Sequence, residues 1–400
     1  MARNRAALAV PAVGVSVTVI VLAALIAWWT IGDDDSAKKT SARRDPSANG
    51  SERSGPQPAA TSPPCDPQAV IASWPLEQRL AQLLMVGVDA QGDDAEALVA
   101  QYGVGGVFVG GQETGIFVDG SLARLATVGP VPPLVAVDEE GGRVQRIDQL
   151  AGPIPSARAM AQTMTPAQVR ELAAQRGRTL REAGITMDLA PVVDVSSQSS
   201  SQVIGDRSFS DDPVVVSEYA GAFAAGLRDA GVVPVLKHFP GHGHATGDSH
   251  EQAVVTPPMA DLEVSDLIPY RNLLAAPPIG VMTGHLDVPG LTAPDEPASV
   301  SANAVRELLR TELGYDGFVI TDDLSAMAAV RQRYSVPEAT LRALAADSDM
   351  ALLVSNAHVP DLLGFLADAV ATRQLDETQI NRSVHRVLAV KAFDPCRMAG

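Results

Sequence analysis

The sequence predicts an α/β protein built as a single (β/α)8 TIM barrel, on three observations. Eight short apolar runs recur at 83–88, 106–109, 134–137, 186–195, 232–236, 280–283, 317–320 and 350–354. Runs apolar at every position suit parallel strands buried on both faces. Helical patterns separate them, and ionisable residues gather where they end, the face on which such barrels build their sites. Eight β/α units in succession close most simply into a barrel, with a doubly wound open sheet as the alternative.

The 400-residue chain opens on a basic head, residues 1–5, which is expected to stay in the cytoplasm. An uncharged, mostly apolar run follows over 6–31, with Trp28-Trp29 near its end and Asp33-Asp34-Asp35 beyond. About 20 residues cross a bilayer, whereas signal-peptide cores run about 7–15 and end in a small-x-small site. The run therefore reads as an uncleaved transmembrane signal anchor, with the tryptophans at the far interface. Cleavage near Ala27, giving a secreted protein, is the alternative. Residues 32–64 are rich in Ser, Pro and charge and poor in large apolar side chains. They read as a disordered linker with a reach of roughly 30 Å. A single catalytic domain is expected over 65–400, outside the cell membrane and monomeric. Cys65 and Cys396 bracket it. In an exported chain such a pair predicts a disulfide, which a closed barrel eases by bringing its ends together.

Helix signals fill the gaps between strands. Thr165-Pro166 and Asp212-Pro213 each set a cap before a proline at the first helical position. Ser335-Val336-Pro337-Glu338 reads as a capping box. A last helix near 378–391 is expected to seal the barrel floor. The formal net charge of −17 argues against nucleic acid as a partner.

The strand ends carry the chemistry. The third run leads into Asp138-Glu139-Glu140-Gly141-Gly142-Arg143-Val144-Gln145-Arg146, the fourth holds Asp194, and Ile204-Gly205-Asp206-Arg207 follows. The fifth leads into Lys237-His238-Phe239-Pro240-Gly241-His242-Gly243-His244 and Asp248-Ser249-His250, a stretch with four of the seven histidines. Thr283-Gly284-His285, Thr321-Asp322-Asp323 and Ser355-Asn356 close the rim. A purely structural barrel has no reason to desolvate so many ionisable groups on one face. Carboxylates at separate strand ends suit acid, base or nucleophilic work on a glycosidic bond, and cations beside them suit recognition of hydroxyl or carbonyl groups.

Lys-His-Phe-Pro-Gly-His-Gly followed by Asp-Ser-His resembles the signature of glycoside hydrolase family 3, in its bacterial β-N-acetylglucosaminidase (NagZ-type) branch. The segments 138–146, 204–209 and 321–325 resemble that branch as well, over a span from about Leu76 to Lys391. The resemblance implies a retaining, exo-acting enzyme that removes terminal N-acetylglucosamine from peptidoglycan-derived fragments, a small oligosaccharide or muropeptide. It implies Asp322 as nucleophile and His250, paired with Asp248, as acid/base. It carries the sugar contacts onto Asp138, Arg146, Arg207, Lys237 and His238. No cofactor and no metal are expected. One departure is visible: His244-Ala245 stands where the family often has Asp-Thr.

Other readings compete. Asp323 rivals Asp322, since an aspartate after a strand often caps a helix. His238 and His285 read equally as packing residues, and Asp194 as a brace. His242-x-His244 suggests a metal but lacks an aspartate after the eighth strand. His358 and His385 read as solvated or packing. Phosphorolysis by the same site is the nearest functional alternative, because a histidine acid/base adds no negative charge against an incoming phosphate. A metal-dependent hydrolase and a non-catalytic wall-binding protein are the others.

Overall fold

Eight parallel strands form the barrel wall: β1 (Leu84–Val88), β2 (Gly106–Val109), β3 (Leu134–Val137), β4 (Met187–Asp188), β5 (Val233–Phe239), β6 (Gly280–Thr283), β7 (Phe318–Thr321) and β8 (Ala351–Leu353). The computed structural model describes residues 65–88, 93–111, 114–357 and 359–398. The basic head, the apolar run 6–31, the linker and His358 lie outside the described residues. Among the described residues no helix is long and apolar enough to cross a membrane.

The strands follow chain order around the sheet, and β1 pairs with both β2 and β8. β7 and β8 meet at the bridge Ile320–Met350, and Leu324 N donates to Leu352 O at 2.9 Å. The sheet therefore nearly closes on itself. Every strand residue is buried, as the uniformly apolar runs predict. Each fully buried Leu, Ile, Val or Phe among them contributes about 1.5–3 kcal/mol relative to exposure.

The fourth strand corrects its expectation. The apolar run covers 186–195, but regular pairing covers only Met187–Asp188. Pro191 brings no N–H to a ladder. Beyond it the chain touches β5 through the bridge Val192–Lys237 and the bond from Val193 N to Lys237 O at 2.8 Å. This departure carries Asp194 over the end of β5.

Helix Pro166–Glu182 has its capping box, closed between Thr165 and Gln168, and Asp212 accepts from Val214 N at 2.8 Å to cap Pro213–Asp229. The Ser335 box closes on one side only. Ser335 Oγ accepts from Glu338 N at 3.3 Å, while Arg342 Nε donates to the Glu338 carboxylate at 3.1 Å.

Helix Glu377–Val390 lies across the N-terminal end of the barrel. Arg386 reaches Asp316 and Asp349, just ahead of β7 and β8, and Arg79 donates to Asn381 and Glu377. The Cys65–Cys396 disulfide, with Cα atoms 6.0 Å apart, ties the first helix Pro67–Ala72 to the final turn Pro395–Met398.

At the opposite end, Val254–Val255 and Leu286–Asp287 make a small parallel sheet that the apolar runs did not signal. Ala245, Val254, Leu262, Leu286 and Val288 form a satellite core beneath it. It anchors the long loop after β5.

Candidate active site

The C-terminal strand ends surround one cavity of about 900 Å³. Of the eight residues that the resemblance directs at a glycoside, all but Asp248 line it. Strand alternation sorts the acidic run after β3. Asp138 and Glu140 line the cavity, while Glu139 turns away to accept from Arg146 N and Ile147 N.

Lys237, at the end of β5, is the hub of the polar wall. Its Nζ lies 2.6 Å from Asp138 Oδ1 and 2.7 Å from Glu140 Oε1. Arg207 grips Glu140 with Nε and Nη2 at 2.8 and 2.7 Å, the bidentate geometry of a strong pair. Arg146 Nη2 stands 3.5 Å from Asp138 Oδ2. Burial raises the Glu140 carboxyl, but Arg207 and Lys237 outweigh it and hold the group well below the usual range. Burial lowers Lys237, but Asp138 and Glu140 outweigh it and keep the ammonium above its ordinary value. Glu140 and Lys237 thus stay ionised while buried.

Asp194 is a brace. Its carboxylate meets His238 Nδ1 at 2.7 Å and accepts from the backbone N–H groups of His238 at 3.2 Å and His242 at 2.8 Å. His238 Nε2 is left to face Arg207 Nη2 at 3.4 Å and the cavity. His285 is a packing residue: Nε2 donates to Asp323 O and Nδ1 bonds Ser299 Oγ, both at 2.7 Å.

The two aspartates after β7 part company. Asp323 accepts from Ser325 N, Ser325 Oγ and Val354 N on one oxygen and from Ala326 N on the other, at 2.6–2.9 Å. Asp322 lines the cavity and accepts from Asp323 N at 2.9 Å, its one side-chain hydrogen bond among the described residues. Burial pushes Asp322 up, but His285, His238 and that N–H outweigh it and hold the carboxyl below its ordinary value.

His250 crosses the cavity mouth on the long loop, its side chain 67% exposed. Asp248 Oδ1 meets both its backbone N, at 2.9 Å, and its Nδ1, at 2.8 Å. Burial raises Asp248, yet the His250 backbone and ring outweigh it and hold the carboxyl low. Nε2 remains free of this pairing. His250 O accepts from Ala328 N at 3.3 Å, which ties the loop to the segment after β7.

The opposite wall, from β1, β2 and β8, presents Val88, Phe108, Gly110, Leu352 and Val354. Among the described residues the carboxylates, arginines and lysine of the lining all come from the ends of β3, β5 and β7 and from the loop after β4. His244, the departure from the family pattern, leaves the cavity and pairs through Nδ1 with buried Asp266 at 3.0 Å. Among the described residues no cluster of three or more His, Cys, Asp or Glu is arranged to hold a metal. Sequence reasoning missed Glu140 and His242, both in the cavity lining. Extending the β3 alternation past Val137 would have found Glu140.

Fold and site together define a carbohydrate-processing (β/α)8 enzyme, with a cavity-lining carboxylate, a carboxylate–histidine pair and a wall of paired charges about one cavity. The profile described as "Glycosyl hydrolase family 3 N terminal domain" matches residues 75–390, and the chain belongs to that family. It is 52% identical over 338 residues to beta-hexosaminidase LpqI of Mycobacterium tuberculosis, covering 82% of this chain and 86% of that protein. The crystal structure of a GH3 family glycosyl hydrolase from Mycobacterium smegmatis superposes with a TM-score of 0.78 at 50% identity, covering 82% and 98% of the two chains. The structure of a glycoside hydrolase family 3 beta-N-acetylglucosaminidase from Paenibacillus sp. gives a TM-score of 0.75 at 32% identity, covering 82% and 64%.

Proposed function

We propose that this chain is a retaining, exo-acting β-N-acetylglucosaminidase that removes terminal N-acetylglucosamine from peptidoglycan-derived fragments. The observation that carries the reading is the pairing of roles about one cavity. Asp322 keeps one carboxylate oxygen without a hydrogen-bond partner among the described residues, and His250 is backed on Nδ1 by Asp248, with no partner for Nε2 among the described residues. Its hexosaminidase-named relatives support the substrate class and favour hydrolysis over phosphorolysis.

In this reading the Asp322 carboxylate attacks the anomeric carbon. The glycosidic C–O bond breaks with its electron pair on the leaving oxygen, which the protonated His250 supplies with a proton from Nε2. Water then attacks the anomeric carbon of the glycosyl-enzyme, His250 Nε2 takes its proton, and Asp322 departs as the carboxylate. Asp248 fixes tautomer and orientation. Lys237, Arg207, Arg146, Asp138 and His238 hold the sugar hydroxyls and acetamido group. The apolar side chains of Val88, Phe108 and Val354 suit an apolar sugar face.

Comparing turnover of nitrophenyl β-N-acetylglucosaminide and β-glucoside, with and without phosphate, tests the reading. Preference for the acetamido substrate and free N-acetylglucosamine as product support it. A glycosyl phosphate as the main product in phosphate buffer overturns hydrolysis.

The apolar run 6–31 supports a membrane-anchored enzyme with its catalytic domain outside the cell. Carbonate-resistant membrane fractionation of the full chain is the expected result. An N-terminus cut near Ala27 would replace anchoring with secretion.

A further inference from the structure

We propose that His242 is a substrate-contacting residue, its imidazole taking a hydrogen-bonding group of the bound aminosugar. The ring is held in place by its backbone. His242 N donates to Asp194 Oδ1 at 2.8 Å. A Cβ at Gly243 would run into the Val195 backbone, and one at Gly241 into the Asp266 side chain. Glycines on both sides thus let the loop press against its supports and fix the direction of the histidine between them.

The residue is 3% exposed and lines the cavity, with its ring edge-on to His238 at 5.9 Å between centroids. Neither Nδ1 nor Nε2 has a hydrogen-bond partner among the described residues. The other buried histidines differ. His238 is paired with Asp194, and His285 uses both nitrogens. A buried polar group left unpaired costs about 1–3 kcal/mol, and both buried nitrogens of a residue that lines the cavity call for something to complete them, a water in the free enzyme and a ligand group in the complex.

The chemistry of that ligand follows from charge. Burial lowers the imidazole pKa further than Asp194 raises it, and His238 and Arg207 add to the lowering. The ring is therefore neutral at pH 7, with one donor and one acceptor. It suits an uncharged hydroxyl or the acetamido group. Packing alone needs neither nitrogen, and a phenylalanine would fill the same space.

The test uses the full chain, and it rests on the N-acetylglucosaminidase reading. His242→Phe removes both polar atoms, and His242→Gln keeps a donor and an acceptor. The Phe variant should melt at or above the wild-type temperature yet bind N-acetylglucosamine at least tenfold more weakly by calorimetry, with Gln recovering part of the loss. Titration with glucose separates the sources. A loss confined to N-acetylglucosamine assigns the acetamido group, and an equal loss with glucose assigns a shared hydroxyl. The His242 ring 15N resonances of the wild type should move on saturation with N-acetylglucosamine, a readout that needs no folded Phe variant. Unchanged resonances, or unchanged affinity in a folded Phe variant, would overturn the assignment. Wild-type protein that binds no N-acetylglucosamine would instead overturn the reading on which it rests.

Discussion

Asp322 accepts a hydrogen bond from the backbone N–H of Asp323 at 2.9 Å, and these adjacent carboxylates are otherwise used in opposite ways. Asp323 spends both oxygens on Ser325, Ala326 and Val354 and so ties the turn after β7 to the end of β8. Asp322 is left to the cavity. Asp322→Asn should therefore lower kcat by about 10³ or more with little change in melting temperature. Asp323→Asn should cost about 2–3 kcal/mol of stability through its lost charge-assisted bonds. Thermal melts and steady-state rates on both variants check this. Equal activity losses would contradict the division.

His250→Ala should slow substrates with poor leaving groups by about 10²–10⁴ and spare activated aryl glycosides in the first step. Asp248→Asn should act in the same direction with a smaller effect, because it removes the partner of Nδ1 and not the proton carrier. A series of aryl N-acetylglucosaminides of graded leaving-group pKa checks it. A uniform loss across the series, with no rescue by azide or formate, would contradict the acid/base role.

Glu140→Gln keeps the shape of the side chain and removes the charge that Arg207 and Lys237 share. Breaking a buried pair from one side costs about 3–5 kcal/mol, so the variant should melt lower. Its KM should rise as Arg207 loses its charged partner and Lys237 one of its two, even under conditions where it is fully folded. An unchanged KM in folded protein would show that neither cation depends on Glu140.

The disulfide closes a loop with a sequence separation of 331 residues. The chain-entropy view gives on the order of 5 kcal/mol for so long a loop, with strain and residual structure reducing it. Cys396→Ser should lower the melting temperature and leave kcat at 25 °C unchanged, since Cys65 and Cys396 tie the N-terminal end of the barrel, away from the cavity. Thiol titration of denatured, unreduced exported protein should find no free thiol. Two free thiols would contradict the bond.

Much of the fold was legible because a barrel strand buried on both faces has to be apolar throughout, and few other structures impose that on so many short runs. β4 was not. Its run, interrupted only by Asp188 and Asp194, stays mostly apolar to Val195, but burial there comes from the loop packing over β5 and not from a ladder, and hydropathy does not distinguish the two. The small sheet of Val254–Val255 and Leu286–Asp287 escaped notice because two-residue strands carry no periodic signal. In the site, Asp194 and His285 were ambiguous between support and contact. Both act through hydrogen bonds to backbone and side-chain atoms distant in sequence, which no local pattern encodes. His242 was hidden by its neighbour His244, which suggested a metal pair, whereas the two rings diverge to the cavity and to Asp266.

The central claim is double displacement through Asp322. Incubation with a 5-fluoro N-acetylglucosaminyl inactivator, followed by peptide mapping, tests it most directly. The account predicts a stoichiometric glycosyl adduct on the peptide that carries Asp322, with fragmentation placing it on that residue. An adduct on Asp323, or an active enzyme that forms none and releases product of inverted anomeric configuration, would contradict it.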